Sequence, residues 1–338
     1  MMTRLMRGKS YSIRLVTPAF TAGANQQEAA LRVPSIRGCL RWWYRLALKA
    51  EGVDGGAIAQ READLFGSIR EGQRVVLRLT DVREGPRIPL EYQRFAFDHQ
   101  YLWFPLRPQL GQSVRIARPA IPAGTVFRLD VLVPSHLGDA EDRLKRLERV
   151  VVHWVLFGGL GLRCRRGAGS LWFESLPGGP ALPAGRDALV DLLERSRGSL
   201  GQVADLVLAA EAQATWQAAL EEAGRHYRGR RVEVRQRLGR EALPALGWPI
   251  VNFPGDGKLG LPDGPERRVE RLASPVWLKV IPDGPRFRWL LVVVKKPFWK
   301  AVRSELGTVT AQDVLQDFAQ GFEQARPPGT PRGRPRAR

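Results

Sequence analysis

Residues 33–48 read VPSIRGCLRWWYRLAL, and this stretch predicts an amphipathic helix with two different faces. Ser35 is the expected N-cap of a helix that runs from Ile36 to about Ala50. At about 100° per residue, one face collects the apolar side chains Ile36, Leu40, Trp43 and Ala47. We expect this face to pack against a sheet, with Trp43 in the core.

The other face of this helix is basic. Arg37, Arg41 and Arg45 lie about one turn apart, a spacing that can follow successive phosphates of a single nucleic-acid strand. Trp42 lies beside this band and can either stack on a base or pack in the core. The alternative for the arginines is a solvated face. Because residues 29–50 contain no acidic side chain, any carboxylate partner must come from elsewhere in the fold.

The segments around this helix predict a split βαβ unit. Strand patterns occur at residues 11–16, 75–82, 126–133 and 170–173, and a second amphipathic helix covers residues 140–157. A short helix is expected to end at residues 63–66. The order strand, helix, strand, strand, helix, strand is typical of a ferredoxin-like fold, which often presents RNA-binding surfaces. The aromatic signature that an RRM carries on its sheet is missing.

Length and composition predict two α+β domains in tandem. Residues 1–176 form the first ferredoxin-like domain, with an irregular, aromatic and Pro-rich insertion at residues 84–124. After a linker at residues 177–185, residues 186–325 form a degenerate second copy. Its helical region is expected at residues 187–227, its strands at 274–281 and 287–294, and its last helix at 311–322. The tail, residues 326–338, has five arginines and no acid, so disorder is expected there.

The charge of the chain indicates a polyanionic partner. Of 338 residues, 53 are Lys or Arg and 34 are Asp or Glu, so the formal net charge is +19, or +14 without the five arginines of the tail. A membrane surface attracts the same charge, but a membrane-surface helix would carry a lysine-rich face, and here arginine dominates. The sequence has no run of about 18 apolar residues and no signal-peptide pattern, so a cytoplasmic location is expected.

Residues 158–170, GGLGLRCRRGAGS, form a second basic segment. Its glycines, Gly161 and Gly167 among them, let the backbone approach a ligand, and Arg163, Arg165 and Arg166 supply positive charge. We therefore expect an anion-binding loop; the alternative is a flexible surface connection. The loop follows a helix and lacks the GxxxxGK[ST] pattern, which excludes a Rossmann fingerprint and a Walker A motif.

The sequence predicts no catalytic site, no metal and no cofactor. Its four histidines lie far apart without metal-ligand spacing, and Cys39 and Cys164 are expected to be buried apolar side chains. His153 lies on the apolar helix at residues 140–157 and is expected to be a hydrogen-bonded histidine of the protein core. Asp98-His99 could serve as an acid–base pair in RNA cleavage, but adjacent residues rarely converge on one reacting group.

Several motifs resemble the RAMP superfamily of CRISPR-associated proteins. They are LVTPAF at residues 15–20, PSIRGCLRWWYR at 34–45, EADLFGS at 62–68 and the loop at 158–170. LGWPI at residues 246–250 and RLASPVWLK at 271–279 are also similar, so the resemblance covers both halves. Within the superfamily, the chain resembles the first-numbered RAMP subunit family of the type III-B (Cmr) effector complex.

The resemblance implies two ferredoxin-like domains and a non-catalytic subunit of an antiviral ribonucleoprotein. Such a subunit caps the head end of the complex near the 3′ end of the guide RNA, helps to hold target RNA, and contacts other RAMP subunits. Target cleavage belongs to a different subunit that uses an aspartate in a loop, and no matching aspartate aligns here.

Pattern and resemblance together predict a set of RNA-binding residues. They are Arg32, Arg37, Gly38, Arg41, Trp42, Arg45, Gly161, Arg163, Arg165, Arg166, Gly167, Arg271 and Lys279. Two alternatives stay open: a metal-independent, guide-processing endoribonuclease of the same superfamily, and a scaffold that touches only protein partners.

Overall fold

The computed structural model describes residues 6–70, 72–108, 118–175, 182–247, 274–295 and 311–323. The first half contains a four-stranded antiparallel sheet and a small hairpin. Its strands are β1 (Met6–Leu15), β2 (Gly67–Ser68), β3 (Gly72–Gln73), β4 (Val76–Arg83), β5 (Val126–Pro134) and β6 (Leu171–Phe173). The sheet has the order β4-β5-β1-β6, while β2 and β3 pair with each other.

Four helices accompany this sheet. They are α1 (Val33–Ala50), α2 (Gly55–Phe66), α3 (Phe97–Trp103) and α4 (Ala140–Phe157). Helices α1 and α4 pack on each other and on one face of the sheet, where Trp43 and Trp154 are fully buried. The large strands and crossover helices follow the predicted order, because the apolar faces of both helices match the buried face of the sheet.

The starts of α1 and α2 differ from the prediction. Helix α1 begins at Val33 with Arg32 as its N-cap, not at Ser35, because Pro34 suits the first turn, where its fixed φ is helical and its missing N–H costs nothing. Helix α2 is a complete helix rather than a short one. The carboxylate of Asp54 caps it by accepting from the backbone N–H of Gly56 at 2.9 Å.

The second half contains a three-stranded antiparallel sheet. Its strands are β7 (Ala204–Leu208), β8 (Val276–Asp283) and β9 (Arg286–Val294), in the order β7-β9-β8. Helices α5 (Arg186–Arg197), α6 (Trp216–Leu238) and α7 (Ala311–Glu323) complete it, and α6 and α7 pack on the sheet. The order of first, third and second strand repeats the β1-β5-β4 order of the first sheet.

Strand β7 corrects the prediction of a continuous helical region at residues 187–227. A short apolar run such as residues 204–208 cannot be assigned to helix or strand by periodicity alone, and only its pairing with β9 decides the matter. Within the described residues, the strands expected at 274–281 and 287–294 and the last helix are present. The tail at 326–338 lies outside the described residues.

The insertion at residues 84–124 is more regular than expected. Residues 97–103 form α3, flanked by two short 3₁₀ turns at residues 92–94 and 104–106. The side chains of Leu102 and Trp103 are fully buried, and α3 packs on α6. Irregular composition misled the prediction because the aromatic side chains that stabilise this helix contact a distant part of the chain. Residues 109–117 lie outside the described residues.

The two sheets are joined by backbone and side-chain hydrogen bonds. The N–H of Leu278 donates to the carbonyl of Arg165 at 3.2 Å, and the N–H of Val280 donates to the hydroxyl of Ser170 at 3.0 Å. Strand β8 of the second half is therefore fastened to the glycine–arginine loop, residues 158–170, of the first half. No helix among the described residues is long and apolar enough to span a membrane.

Candidate nucleic-acid interface

A groove of about 590 Å³ opens at the N-terminal half of α1. Its lining residues come from α1 and from the β3–β4 region: Val33, Pro34, Arg37, Gly38, Arg41, Gln73 and Leu77. Three of the predicted site residues, Arg37, Gly38 and Arg41, thus line one cavity. Gln73 was missed, because nothing in the sequence indicates that the β2–β3 hairpin folds back beside α1.

The arginine band has an acidic partner that lies on the next helix. The carboxylate of Glu62, on α2, accepts from Nε of Arg41 and lies 3.5 Å from Nη1 of Arg45. Its side chain is 6% exposed, whereas both arginine side chains are 41% exposed. One buried carboxylate therefore orients two half-exposed guanidinium groups and leaves an excess of positive charge at the surface.

Arg37 is held by carbonyl groups instead. Its guanidinium donates to the carbonyl of Val75 at 2.8 Å and to that of Phe66 at 3.5 Å. Burial, and secondarily the charge of Arg41, lowers the pKa of Arg37 from its usual value, yet an arginine stays protonated at neutral pH. The groove therefore has a fixed positive wall at Arg37, which pairs with no carboxylate in the described part of the chain.

Gly38 keeps the groove open. It is exposed, and a Cβ built on it would meet no atom within 4 Å. Its backbone conformation is ordinary helix, so glycine is not required for geometry here. The space beside Gly38 is accessible to a ligand.

Trp42 packs more than the sequence indicated. Its ring centroid lies 4.9 Å from that of Trp43 and 5.1 Å from that of Trp277 on β8. The guanidinium of Arg165 lies 5.4 Å from the Trp42 ring. The side chain remains half-buried, so one part of it joins the two halves of the molecule while another part reaches the surface.

The glycine–arginine loop is neither an open anion cradle nor a flexible connection. Arg163 donates to the carbonyl of Leu102 in α3 at 2.9 Å, and Arg165 donates to the carbonyl of Ser274. Arg166 is 9% exposed and donates to the carbonyl of Val276 at 2.8 Å and to the hydroxyl of Tyr227 at 2.6 Å. Each arginine thus fastens the loop to a different part of the fold.

Two glycines of this loop are required by its close packing. Gly167 has φ +83°, and a Cβ there would lie 2.1 Å from a methyl carbon of Leu220. Gly161 has φ +87°, and a Cβ there would lie 2.6 Å from the carbonyl oxygen of Phe20. These glycines allow the chain to approach other protein segments, not a ligand.

Lys279 and Arg166 correct the expectation of direct RNA contacts. Lys279 is 1% exposed, and its ammonium donates to the carbonyls of Val155 and Gly158, the latter at 3.1 Å. These carbonyls end α4, where the helix dipole favours a cation. Buried side chains with satisfied donors cannot reach a phosphate at the surface.

Arg32 lies apart from the groove lining. It is exposed and occupies the N-cap position of α1 without a side-chain capping hydrogen bond; its guanidinium donates to the carbonyl of Ala22 at 3.4 Å. Arg271 lies outside the described residues. Six exposed or half-exposed residues of the predicted set lie around the start and middle of α1: Arg32, Arg37, Gly38, Arg41, Trp42 and Arg45. Gly161, Arg163 and Arg165 are also half-exposed, but they lie in the glycine–arginine loop.

The Asp98-His99 pair does not form an acid–base site. The imidazole of His99 is 1% exposed and stacks 4.1 Å from the ring of Phe95, with Trp103 at 4.4 Å. Burial lowers the pKa of His99 to about 3, so it stays neutral. Asp98 points to other partners, since its carboxylate accepts from Arg228 at 2.8 Å. Among the described residues, no cluster of three metal-ligating side chains occurs.

Comparisons with known proteins agree with this architecture. A family model described as the RAMP superfamily matches residues 12–172. The chain is similar to the CRISPR system Cmr subunit Cmr1-2 of Pyrococcus furiosus, with 30% identity over 178 residues, 49% of this chain and 95% of that subunit. It is also similar to Cmr1-1 of the same organism, with 33% identity over 144 residues, 42% of this chain but only 40% of Cmr1-1.

Solved structures share the fold. The crystal structure of Cmr1 from Pyrococcus furiosus in its apo form has 22% identity and a TM-score of 0.59, and the match covers 93% of this chain and 96% of that one. A chain of a type III-B Cmr-beta cryo-EM structure bound to cognate target RNA has 13% identity and a TM-score of 0.60, over 93% and 99% of the two chains. At these identities the likeness shows the fold alone.

Proposed function

Because the chain is a Cmr1-like member of the RAMP superfamily, we propose that it is a non-catalytic, RNA-binding subunit of a type III-B CRISPR Cmr effector ribonucleoprotein. The observation that carries RNA binding is the groove beside α1, with Arg37 and Arg41 in its wall and Gly38 at its opening. Guanidinium groups fixed by Glu62 and by carbonyls present their remaining donors to a phosphate without losing further side-chain freedom.

The finer role follows the family. The subunit caps the head end of the complex near the 3′ end of the guide RNA, holds target RNA and contacts other RAMP subunits. The likeness to a chain of the Cmr-beta structure bound to cognate target RNA supports the association with a Cmr complex and with target RNA. The partners are guide RNA, target RNA and neighbouring Cmr subunits.

The domain organisation is also a proposal. Two ferredoxin-like units, residues 1–176 and 186–325, stand in tandem, and the second is degenerate. Its support is the strand order β7-β9-β8, which repeats three of the four positions of the first sheet. Residues 177–185 link the units.

The RNA-binding residues divide into two groups. Arg32, Arg37, Gly38, Arg41, Trp42 and Arg45 form the contact surface. Gly161, Arg163, Arg165, Arg166, Gly167 and Lys279 act indirectly, because they hold the loop and β8 in the place where Trp277 packs against Trp42 and Trp43 of α1. Arg271 stays an expectation from the sequence.

Replacement of Arg41 by Gln tests the contact surface. Single-stranded RNA should bind the variant about tenfold more weakly, because a charge-assisted hydrogen bond to phosphate contributes about 1.5 kcal/mol. The slope of log affinity against log salt should flatten by about 0.7 for one lost phosphate contact. Replacement of the exposed Arg195 by Gln, on α5, is the matched control and should change neither quantity. Equal affinity and equal slope for the Arg41 variant and the wild type would contradict the proposal.

The endoribonuclease alternative makes a different prediction. Repeat RNA mixed with the purified protein in EDTA should stay intact, because His99 is caged by aromatic rings and Asp98 is paired with arginine. Sequence-specific cuts that disappear in His99→Ala would favour the nuclease over the binding subunit. Absence of RNA crosslinks in an assembled complex would favour the protein-only scaffold.

A further inference from the structure

Helix α3 presents an aromatic face that the groove does not use. Phe97 and Tyr101 lie on α3, and Phe104 is the C-cap residue that begins the next 3₁₀ turn with helical backbone angles. At helical spacing, their intervals of four and three residues place the three rings within an arc of about 60°. Phe97 is 69% exposed and Phe104 is 47% exposed. The opposite face, with His99, Leu102 and Trp103, is buried. Phe97 and Phe104 are therefore exposed on one side of the insertion, with the partly buried ring of Tyr101 between them in sequence.

Each of these rings has an arginine beside it from another segment. The guanidinium of Arg228 lies 5.2 Å from the ring centroid of Phe97, and that of Arg163 lies 5.7 Å from the centroid of Phe104. Arg231 lies near Tyr101, since it contacts the hydroxyl of Tyr227, whose ring is 6.4 Å from that of Tyr101. We call these six residues the aromatic–arginine surface.

The crossing of α3 and α6 fixes this arrangement. Gly224 lies on α6, and a Cβ there would come within 2.2 Å of the carbonyl oxygen of Asp98, so the two helices touch at this glycine. Arg228 and Arg231 follow Gly224 on the same side of α6, one and two turns further on. Both arginine side chains therefore lie along α3, with Arg228 beside Phe97 and Arg231 near Tyr101.

The charge of the surface favours a polyanion. Asp98 neutralises Arg228 at 2.8 Å, and Arg225 next to it is shared between Asp98 and Glu221. Within the described part of the chain, Arg163 and Arg231 lie beyond ion-pair distance of any carboxylate. Among the described residues, two half-buried guanidinium groups thus have no carboxylate partner: Arg163, which lies beside Phe104 and donates to the carbonyl of Leu102, and Arg231, which lies beside Tyr227.

We propose that the aromatic–arginine surface binds a second segment of single-stranded RNA, by stacking of bases on Phe97 and Phe104 and pairing of phosphates with arginine. Aromatic rings stack on any base, and a guanidinium group beside each exposed ring can pair with the phosphate that follows the stacked base. Phe97 and Phe104 are separated by about 10 Å along the helix axis, or about three times the 3.4 Å rise of a stacked nucleotide. The expected footprint is about three nucleotides.

This inference rests on the proposed function but concerns a different surface. None of its six residues lines the groove beside α1. A protein partner for the same rings is the competing interpretation, and the two differ in their dependence on bases.

The test is a binding titration of the full chain with a single-stranded RNA of about 40 nucleotides. The double variant Phe97→Ala, Phe104→Ala should bind at least fivefold more weakly for each ring removed, about the smallest loss that base stacking predicts. Phe97→Trp with Phe104→Trp should restore the affinity. Replacement of Ile88 by Ala removes another exposed apolar side chain of the insertion and should have no effect.

An RNA of the same length with abasic sites separates stacking from indirect effects. Wild type should lose affinity for it, and the double Ala variant should lose much less, because its bases have no ring to stack on. An equal loss in both proteins would overturn the proposal, as would wild-type affinity of the double Ala variant for normal RNA. Loss of a Cmr subunit from the complex with unchanged RNA affinity would assign the surface to protein and also overturn it.

The outcomes distinguish the two proposals. If Arg41→Gln weakens binding and the double Ala variant does not, the groove stands and the second surface fails. If the wild-type protein binds no RNA, the proposed function itself fails. Circular dichroism and the urea midpoint check that the variants are folded.

Discussion

At the scale of single residues, Glu62 decides how the basic face of α1 is used. It is the carboxylate that accepts from Arg41 and lies beside Arg45, and it is more buried than either guanidinium. An arginine band without a partner would be mobile and would lose side-chain freedom on binding. Because Glu62 already restricts Arg41 and Arg45 in the free protein, we expect these side chains to lose less conformational entropy on binding a ligand.

Gly38 allows a test that separates folding from binding. Gly38→Ala should raise the free energy of unfolding by about 0.5–1 kcal/mol, because alanine is the better helix former and the added methyl meets open space. Gly38→Met should place a side chain in the groove and weaken RNA binding about tenfold or more, while the protein stays folded. Urea unfolding and RNA titration measure the two effects.

Gly229 on α6 supplies the matched control for Gly38. A Cβ there also meets no atom within 4 Å, but the residue does not line the groove. Gly229→Met should leave RNA affinity in the groove unchanged. If Gly38→Met binds RNA as the wild type does, the ligand does not occupy the space beside α1.

At the scale of elements, the glycine–arginine loop connects the two halves by hydrogen bonds. Its carbonyl and hydroxyl groups accept hydrogen bonds from N–H groups of β8. Its arginines donate to groups of α3, of α6 and of the start of β8. Ser170 takes part on both sides, since its hydroxyl donates to Gly167 at 3.0 Å and accepts from Val280. The loop therefore needs a fixed shape, and its polar atoms must be satisfied internally.

Thr17 is the residue that we expect to hold this shape. It is fully buried, its hydroxyl donates to the carbonyl of Gly167 at 2.6 Å and it accepts from the N–H of Ser170 at 2.9 Å. Thr17→Val keeps the volume but leaves the N–H of Ser170 unpaired and removes one of the two donors to the carbonyl of Gly167, so the free energy of unfolding should fall by about 1–3 kcal/mol. Thr17→Ser retains the hydroxyl and should lose less. A Val variant as stable as the wild type in urea would show that the hydroxyl does not hold the loop.

At the scale of the whole molecule, both halves depend on the same interior. Trp42 and Trp43 of α1 contact Trp277 of β8. The side-chain nitrogen of Lys279, also on β8, donates to the carbonyl of Gly158 at the C-terminal end of α4. Because these contacts bury apolar surface from both halves together, we expect the described parts of the chain to unfold as one cooperative unit.

Two buried histidines make the stability of this unit depend on pH. Burial lowers the pKa of His99 to about 3, and burial with the nearby Arg149 lowers the pKa of His153 to about 4. The unfolded chain binds these protons near pH 6.5 while the folded protein does not, so stability falls as pH drops from about 6.5 towards these values. At pH 5 each histidine should cost about 1–2 kcal/mol.

Urea unfolding at pH 7.5 and pH 5 measures this loss. His99→Phe keeps the ring stack on Phe95 and removes one titrating group, so the difference between the two pH values should shrink. Carboxylate groups contribute equally to both proteins, which makes the comparison specific. An unchanged pH dependence in the variant would mean that His99 is protonated in the folded state.

The sequence by itself determined much of the first half. The apolar stripes of α1 and α4 and the alternation in β1, β4 and β5 are local patterns, and they predict both the element order and the burial of Trp43 and Trp154. The motifs around α1 also indicated the superfamily and three residues of the groove, Arg37, Gly38 and Arg41.

Only the tertiary structure decided which basic residues face solvent. Arg166 and Lys279 are basic residues like Arg41, but the contact of β8 with the loop buries them, and Glu62 is brought to α1 by the packing of α2. The same is true of β7 and α3, whose partners β9 and α6 are far away in sequence. Charge and local periodicity are properties of a segment, whereas burial and pairing depend on contacts between distant segments, which no single stretch of sequence contains.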